Sequence, residues 1–288
     1  MPASSGTVDA DGTAIHYLDW EPASGGQVAR PPLILIHATG FLGALWRPVA
    51  ELLAARFRVI AIDLRGHGDS DAPPGGYTFE TFANDLQHVI EALRLERPLA
   101  AGHSAGGATI VVHAAAHPGV ISRAVLIEPI LPRPDWFTDP PPDGRTNASL
   151  AEGARKRRAM WRDADEAFAS YRKKETFRTW REDVLRIYVN EGMRRREDGR
   201  IVLKFSPEVE GRFFDAVRGP DFWSMLPEVS CPALFVWGGE SHLHGRGLDA
   251  AAAAVPNGRN VIVPGTTHFL PQERPDEVAR LMTEFLSD

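Results

Sequence analysis

The chain of 288 residues is 43% hydrophobic and 24% charged, an ordinary globular composition with ample apolar content for one large core. Its formal net charge of −6 gives no reason to expect nucleic acid or an anionic membrane surface as a partner. A single cysteine, Cys231, rules out an intrachain disulfide framework and suits a reducing compartment.

Met1–Ala10 shows no basic segment followed by an apolar run, so no signal peptide is expected. No apolar run approaches bilayer length, and the expectation is a cytoplasmic protein without stable membrane insertion. In chain order, Thr7–Trp20 carries Asp11-Gly12 between two short extended stretches, which predicts an antiparallel hairpin at a sheet edge. Buried strands are then expected over Leu33–His37, Arg58–Ile62, Leu99–Gly102, Arg123–Ile127, Ala233–Trp237 and Asn260–Val263. They lack polar alternation, as strands covered on both faces do. Between them lie amphipathic stretches such as Thr78–Leu93, with Phe79, Phe82, Leu86, Val89, Ile90 and Leu93 at helical spacing. Alternating strand and helix predicts an α/β fold with a mostly parallel central sheet flanked by helices.

The rhythm breaks between Leu131 and Leu226, where no buried strand pattern occurs. Pro129–Pro142 is proline-rich, and the rest reads as helical, aromatic and charged. Residues 145–200 hold 16 Lys and Arg against 10 Asp and Glu, so a basic insertion sits on an acidic remainder. The expected organisation is a core from 1–130 and 227–288 with a helical cap or lid over 131–226. Its basic charge reads as a solvated surface. Its aromatic residues read mostly as lid core, a few of them lining a pocket.

The strongest motif is Gly102-His103-Ser104-Ala105-Gly106-Gly107, directly after one strand run and before a helix-like run. Glycines flank the serine because a turn this tight has no room for side chains there. The serine is thereby presented at a helix N-terminus, where amides and dipole favour developing negative charge. Serine needs an adjacent base. His268, in the loop Pro264-Gly265-Thr266-Thr267-His268 after the last buried strand, is the expected one.

With His37-Ala38-Thr39-Gly40, Asp63–Ser70, the serine elbow and the terminal Gly-x-x-His, the chain resembles the α/β-hydrolase superfamily over nearly its whole length. Lidded members, including bacterial esterases and lipases, are the most similar. The resemblance implies a Ser–His–acid triad. Relatives usually place an aspartate after the next-to-last strand, three residues beyond a glycine; here that position holds Ser241. Some relatives, including certain dehalogenases, take the acid from the preceding strand, where this chain has Glu128 closing Val125-Leu126-Ile127. A carboxylate there is costly to bury without a partner such as an imidazole. Glu128 is therefore the expected acid, with Glu240 the alternative.

The oxyanion donors implied are the amides of Ala105 and Thr39, although Ala38 replaces the usual glycine of that loop. His37 and Asp63–Ser70 read as structural. His103, Phe41, Trp136, Phe137 and Phe269 are the expected substrate-binding residues. His242, His244 and Glu240 lack a further ligand at metal spacing, so no metal and no cofactor are expected. The reading is a serine hydrolase (carboxylesterase or lipase-like) that cleaves esters of small or medium apolar molecules through an acyl-serine. Alternatives are a C–C bond hydrolase, lactonase or thioesterase on the same triad, or a ligand-binding member without turnover. Serine at 104, not aspartate, argues against epoxide and haloalkane chemistry. The expected partner is a small-molecule substrate, and the chain a monomer or homodimer.

Overall fold

The computed structural model describes residues 3–21, 30–132, 146–216, 220–243 and 250–287. Asp11 and Gly12 both take positive φ, 49° and 81°, as a two-residue hairpin turn requires. Across that turn β1 (Ser4–Ala10) pairs antiparallel with β2 (Thr13–Trp20). The chain continues through β3 (Pro32–Ile36), α1 (Arg47–Leu53), β4 (Arg58–Ile62), α2 (Phe79–Ala92), β5 (Leu99–His103), α3 (Ala105–Ala116) and β6 (Arg123–Ile127).

A long insertion follows: α4 (Asn147–Lys156), β7 (Met160–Trp161), α5 (Ala164–Arg172), α6 (Glu175–Arg178), α7 (Glu182–Glu191), β8 (Met193–Arg195), β9 (Ile201–Leu203), α8 (Pro207–Ala216) and α9 (Phe222–Met225). The chain then returns through β10 (Ala233–Gly238), α10 (Ala250–Ala254), β11 (Gly258–Val263), α11 (Leu270–Glu273) and α12 (Pro275–Leu286).

The central sheet has eight strands in the order β1-β2-β4-β3-β5-β6-β10-β11. From β4 to β11 all neighbours are parallel. Period-2 alternation along β3 sends Ile34 and Ile36 to one face and Leu33 and Leu35 to the other, and all are fully buried. Helices α2 and α3 pack the first face, α1 and α12 the second. This explains why these strands read as continuous apolar runs.

The insertion differs from the helical expectation in one respect. It contains a three-stranded antiparallel sheet, β7-β9-β8. Strands of two or three residues, one of them Met193-Arg194-Arg195, are too short and too charged to leave a pattern. Trp161, Tyr171, Trp180 and Tyr188 of the insertion share a buried cluster with Phe41, Leu42 and Leu45, just after β3. Among the described residues no helix is long and apolar enough to cross a membrane.

Arg65, in the turn after β4, is fixed to α2 by a two-pronged ion pair with Asp85 at 2.7 and 2.5 Å, both side chains nearly buried. Removing one partner strands the other charge, which typically destabilises by about 3–5 kcal/mol. We therefore expect Asp85→Ala to lower the urea midpoint of unfolding by an amount corresponding to that range. A change below about 1 kcal/mol would contradict a buried clamp.

Candidate active site

Ser104 stands between the last residue of β5 and the first of α3, with φ 55° and ψ −113°. A non-glycine residue held there stores roughly 1–3 kcal/mol of strain. The neighbouring glycines explain how the turn closes. A Cβ on Gly102 would lie 2.4 Å from the Gly106 carbonyl carbon, and one on Gly106 would lie 2.3 Å from the Ile36 oxygen. The Ser104 amide donates to Ile127 O at 2.9 Å, tying the elbow to the end of β6. Among the described residues the Ser104 hydroxyl makes no hydrogen bond.

Glu128 follows β6 directly, at φ 49° and with no exposed surface. Its amide donates to Val236 O of β10 at 2.8 Å. Its carboxylate accepts from the Gly238 amide at 2.5 Å, the Ser241 hydroxyl at 2.6 Å and His268 Nδ1 at 3.0 Å. Ser241 thus serves as a donor to the Glu128 carboxylate. Its own oxygen accepts from the Leu243 amide at 3.1 Å. Glu240 is exposed, and its amide donates to Thr266 O at 2.9 Å.

The histidine loop is braced from several sides. Thr267 donates to the Glu273 carboxylate through its amide at 2.9 Å and its hydroxyl at 2.6 Å. Glu273 also accepts the Thr179 hydroxyl, joining the insertion to this loop. His103 Nε2 donates to the His268 carbonyl at 2.8 Å. His103, expected among the substrate-binding residues, is 1% exposed and bonded to this loop. Glu273 was missed in the sequence, where Pro271-Gln272-Glu273-Arg274 reads as an ordinary charged turn.

Burial pushes the Glu128 carboxyl upward, opposed by the Ser241 hydroxyl and Gly238 amide, whose hydrogen bonds favour the carboxylate. Burial drives His268 down to about 4 and His103 to about 3. Both rings are thus neutral at pH 7. With Nδ1–H donated to Glu128, the lone pair of His268 lies on Nε2, the tautomer a general base requires. Ser104 is 6% and His268 8% exposed, so the pair is enclosed.

Around this pair Phe41 and Phe269 pack 6.1 Å apart, each against Trp180 of the insertion, at 5.0 and 5.8 Å. The exposed His242 ring lies 5.2 Å from His268. Trp136, Phe137 and His244 lie outside the described residues. The Ala105 amide opens α3, and Thr39 sits half-buried in the loop after β3; neither N–H is hydrogen-bonded among the described residues. A cleft between that loop and the insertion is lined by Gly40, Phe41, Tyr188, Leu203 and Phe205; Ser104 is not part of its lining.

Among the described residues one cluster lies at metal-ligand distances, His16, Asp63 and Asp69. Its oxygens are already engaged. Asp63 accepts from His16 at 2.7 Å, the Gly43 amide at 2.6 Å and the Asp69 amide at 2.9 Å, and Asp69 pairs with Lys204 at 2.6 Å. The cluster clamps the turn after β4.

Comparison with known proteins places this geometry in a family. Residues 33–281 match the model of the alpha/beta hydrolase family, and the chain belongs to it. It is 28% identical to the non-heme chloroperoxidase CPO-A1 of Kitasatospora aureofaciens, over 96% of this chain and 97% of that protein. Among solved structures it is similar to E-2-(acetamidomethylene)succinate hydrolase, with TM-score 0.85 and 23% identity over 99% of this chain and 100% of the other. It is also similar to the thioesterase domain from the curacin biosynthetic pathway, with TM-score 0.80 and 21% identity over 98% and 99%.

The electrostatics give a direct expectation. In a histidine NMR titration, His103 and His268 should stay neutral from pH 8 down to about 5, since burial holds both below the ordinary value of 6.5. A midpoint near 6.5 for His268 would contradict the enclosed, neutral imidazole.

Proposed function

We propose that this protein is a serine hydrolase that cleaves carboxylic esters of small or medium apolar substrates through an acyl-serine intermediate. The observation that carries the reading is the buried Glu128–His268 hydrogen bond at 3.0 Å behind an elbow serine. It fixes the base in the tautomer that accepts a proton from Ser104 when substrate is seated. Ser104 Oγ attacks the ester carbonyl while its proton passes to His268 Nε2. The amides of Ala105 and Thr39 hold the oxyanion. His268 then gives the proton to the leaving alcohol, takes one from a water whose oxygen adds to the acyl carbon, and returns it to Ser104 Oγ as the acid leaves. Glu128 stays ionised throughout and stabilises the imidazolium.

In this reading residues 131–226 act as the lid. Phe41 and Phe269, with Trp180 and Tyr188, supply an apolar wall that suits an uncharged acyl or alcohol group. The basic residues of the insertion support the solvated-surface reading. Arg155, Arg158, Arg181 and Arg200, for example, are paired with neighbouring carboxylates on the surface.

Hydrolysis of p-nitrophenyl esters from acetate to palmitate tests the proposal. Short chains should be cleaved fastest, because Ser104 and His268 are only 6% and 8% exposed. Ser104→Ala should lose at least about a thousandfold in kcat and Glu128→Gln about a hundred- to ten-thousandfold. Glu240→Gln should stay within about twofold, since loss there and not at Glu128 would move the acid to the later loop. A folded wild type that cleaves no ester and resists a fluorophosphonate probe would favour a binding role instead.

The full-length similarity to a chloroperoxidase favours one additional reaction. Hydrogen peroxide attacking the acyl-serine in place of water would give a peracid and free Ser104. Peracetic acid should then form from an acetate ester with peroxide in wild type and be absent in Ser104→Ala. Peracid formation equal in both would exclude the acyl-enzyme route.

A further inference from the structure

His37 and His67 were read from the sequence as structural residues of two separate loops. The structure puts their rings 5.0 Å apart, both almost without exposed surface, and bonded to the residues just before and just after Thr39. Their hydrogen bonds define their tautomers. His37 Nε2 accepts from the Leu64 amide at 3.0 Å, so its proton is on Nδ1, which donates to Ala38 O at 2.7 Å. His67 Nε2 accepts from the Gly40 amide at 3.1 Å, so its Nδ1–H donates to Arg65 O at 3.1 Å. Burial lowers both rings from the ordinary histidine range, which keeps them neutral.

Peptide planarity gives these contacts a consequence. Ala38 C=O and Thr39 N–H belong to one trans peptide unit, so they point in opposite directions. Fixing the carbonyl against His37 fixes the direction of the Thr39 N–H, away from that ring. The next peptide is fixed in turn by the Gly40 amide on His67. Gly40, at φ 82°, is the third residue of the turn Ala38–Phe41, which the Phe41 amide closes on Ala38 O at 3.1 Å. The His67 ring is itself held by stacking on Phe205 of the insertion, 3.7 Å between centroids and 17° between planes. Hydrogen bonding to the Ala38 oxygen also polarises the shared amide, making its N–H a better donor.

We propose that His37 and His67 are positioning residues that aim the Thr39 amide at the substrate oxyanion. This deepens the esterase reading and rests on Thr39 being an oxyanion donor. Two pairs of near-isosteric variants separate the contacts. In His37→Asn an amide nitrogen can replace Nδ1 and donate to Ala38 O, whereas His37→Gln can keep only the partner of the Leu64 amide. In His67→Gln an oxygen can replace Nε2 and accept from Gly40, whereas His67→Asn can keep only the donor to Arg65 O.

The four variants and wild type are compared by ester kcat and KM, by the rate of Ser104 phosphonylation with a fluorophosphonate, and by affinity for a trifluoromethyl ketone transition-state analogue. His37→Gln and His67→Asn should lose about ten- to a hundredfold in kcat and in analogue affinity together, with KM within about threefold. His37→Asn and His67→Gln should remain within about threefold of wild type. Equal losses in all four variants, or kcat losses without weaker analogue binding, would overturn the proposal and leave the rings as packing. Failure of the esterase reading shows separately, as wild type inert to both esters and fluorophosphonate. If wild type is phosphonylated but cleaves no ester, the same ranking is read from the labelling rates.

Discussion

A carboxylate with no exposed surface must be surrounded by donors or it is not ionised, and Glu128 is such a group. Three elements converge to supply its donors: the end of β10 through Gly238, the following loop through Ser241, and the loop after β11 through His268. The convergence explains other close approaches. A Cβ on Gly238 would lie 2.5 Å from the Thr267 oxygen, so only glycine lets β10 come this near the histidine loop. The Ser104 amide is bonded to Ile127 O, one residue before the acid. Ser104 and Glu128 therefore follow the ends of adjacent parallel strands, β5 and β6, held to each other by the sheet.

The insertion is joined to this arrangement at both loops that flank the serine. On one side the Thr179 hydroxyl shares the Glu273 carboxylate with Thr267, beside His268. On the other, Tyr188 donates to Gly40 O at 3.4 Å and Phe205 stacks on His67. Phe41 packs against both core and insertion aromatics. The insertion is thus continuous with the packing that holds the His268 loop and the loop of Thr39. A change in its position bears on both.

The sheet was legible in the sequence because its central strands are buried on both faces and so read as unbroken apolar runs. The hairpin was legible because Asp11-Gly12 has few other uses. Ser104 and His268 stood out because an elbow needs glycines at fixed offsets and a base loop needs to be free of regular structure. Glu128 could be suspected for a physical reason: a carboxylate closing Val125-Leu126-Ile127 needs a partner. The role of Ser241 was hidden, since the sequence marks only the missing aspartate and not the hydroxyl's direction. The contact of His103 with the His268 carbonyl was likewise hidden, since the residue's place beside Ser104 gives no direction for its ring. Glu273 and the short β7–β9 strands left no signal, because one carboxylate in a turn has no pattern and strands of two or three residues are too short to show one.

The central claim is that Glu128, directly after β6, and not a residue after β10, orients the His268 imidazole. The most direct measurement is the proton NMR resonance of the His268 Nδ1–H, which a hydrogen bond to a buried carboxylate shifts far downfield. The resonance should be present in wild type and in Glu240→Gln, and absent from Glu128→Gln and His268→Ala. Its persistence unchanged in Glu128→Gln would contradict the account and place the acid elsewhere.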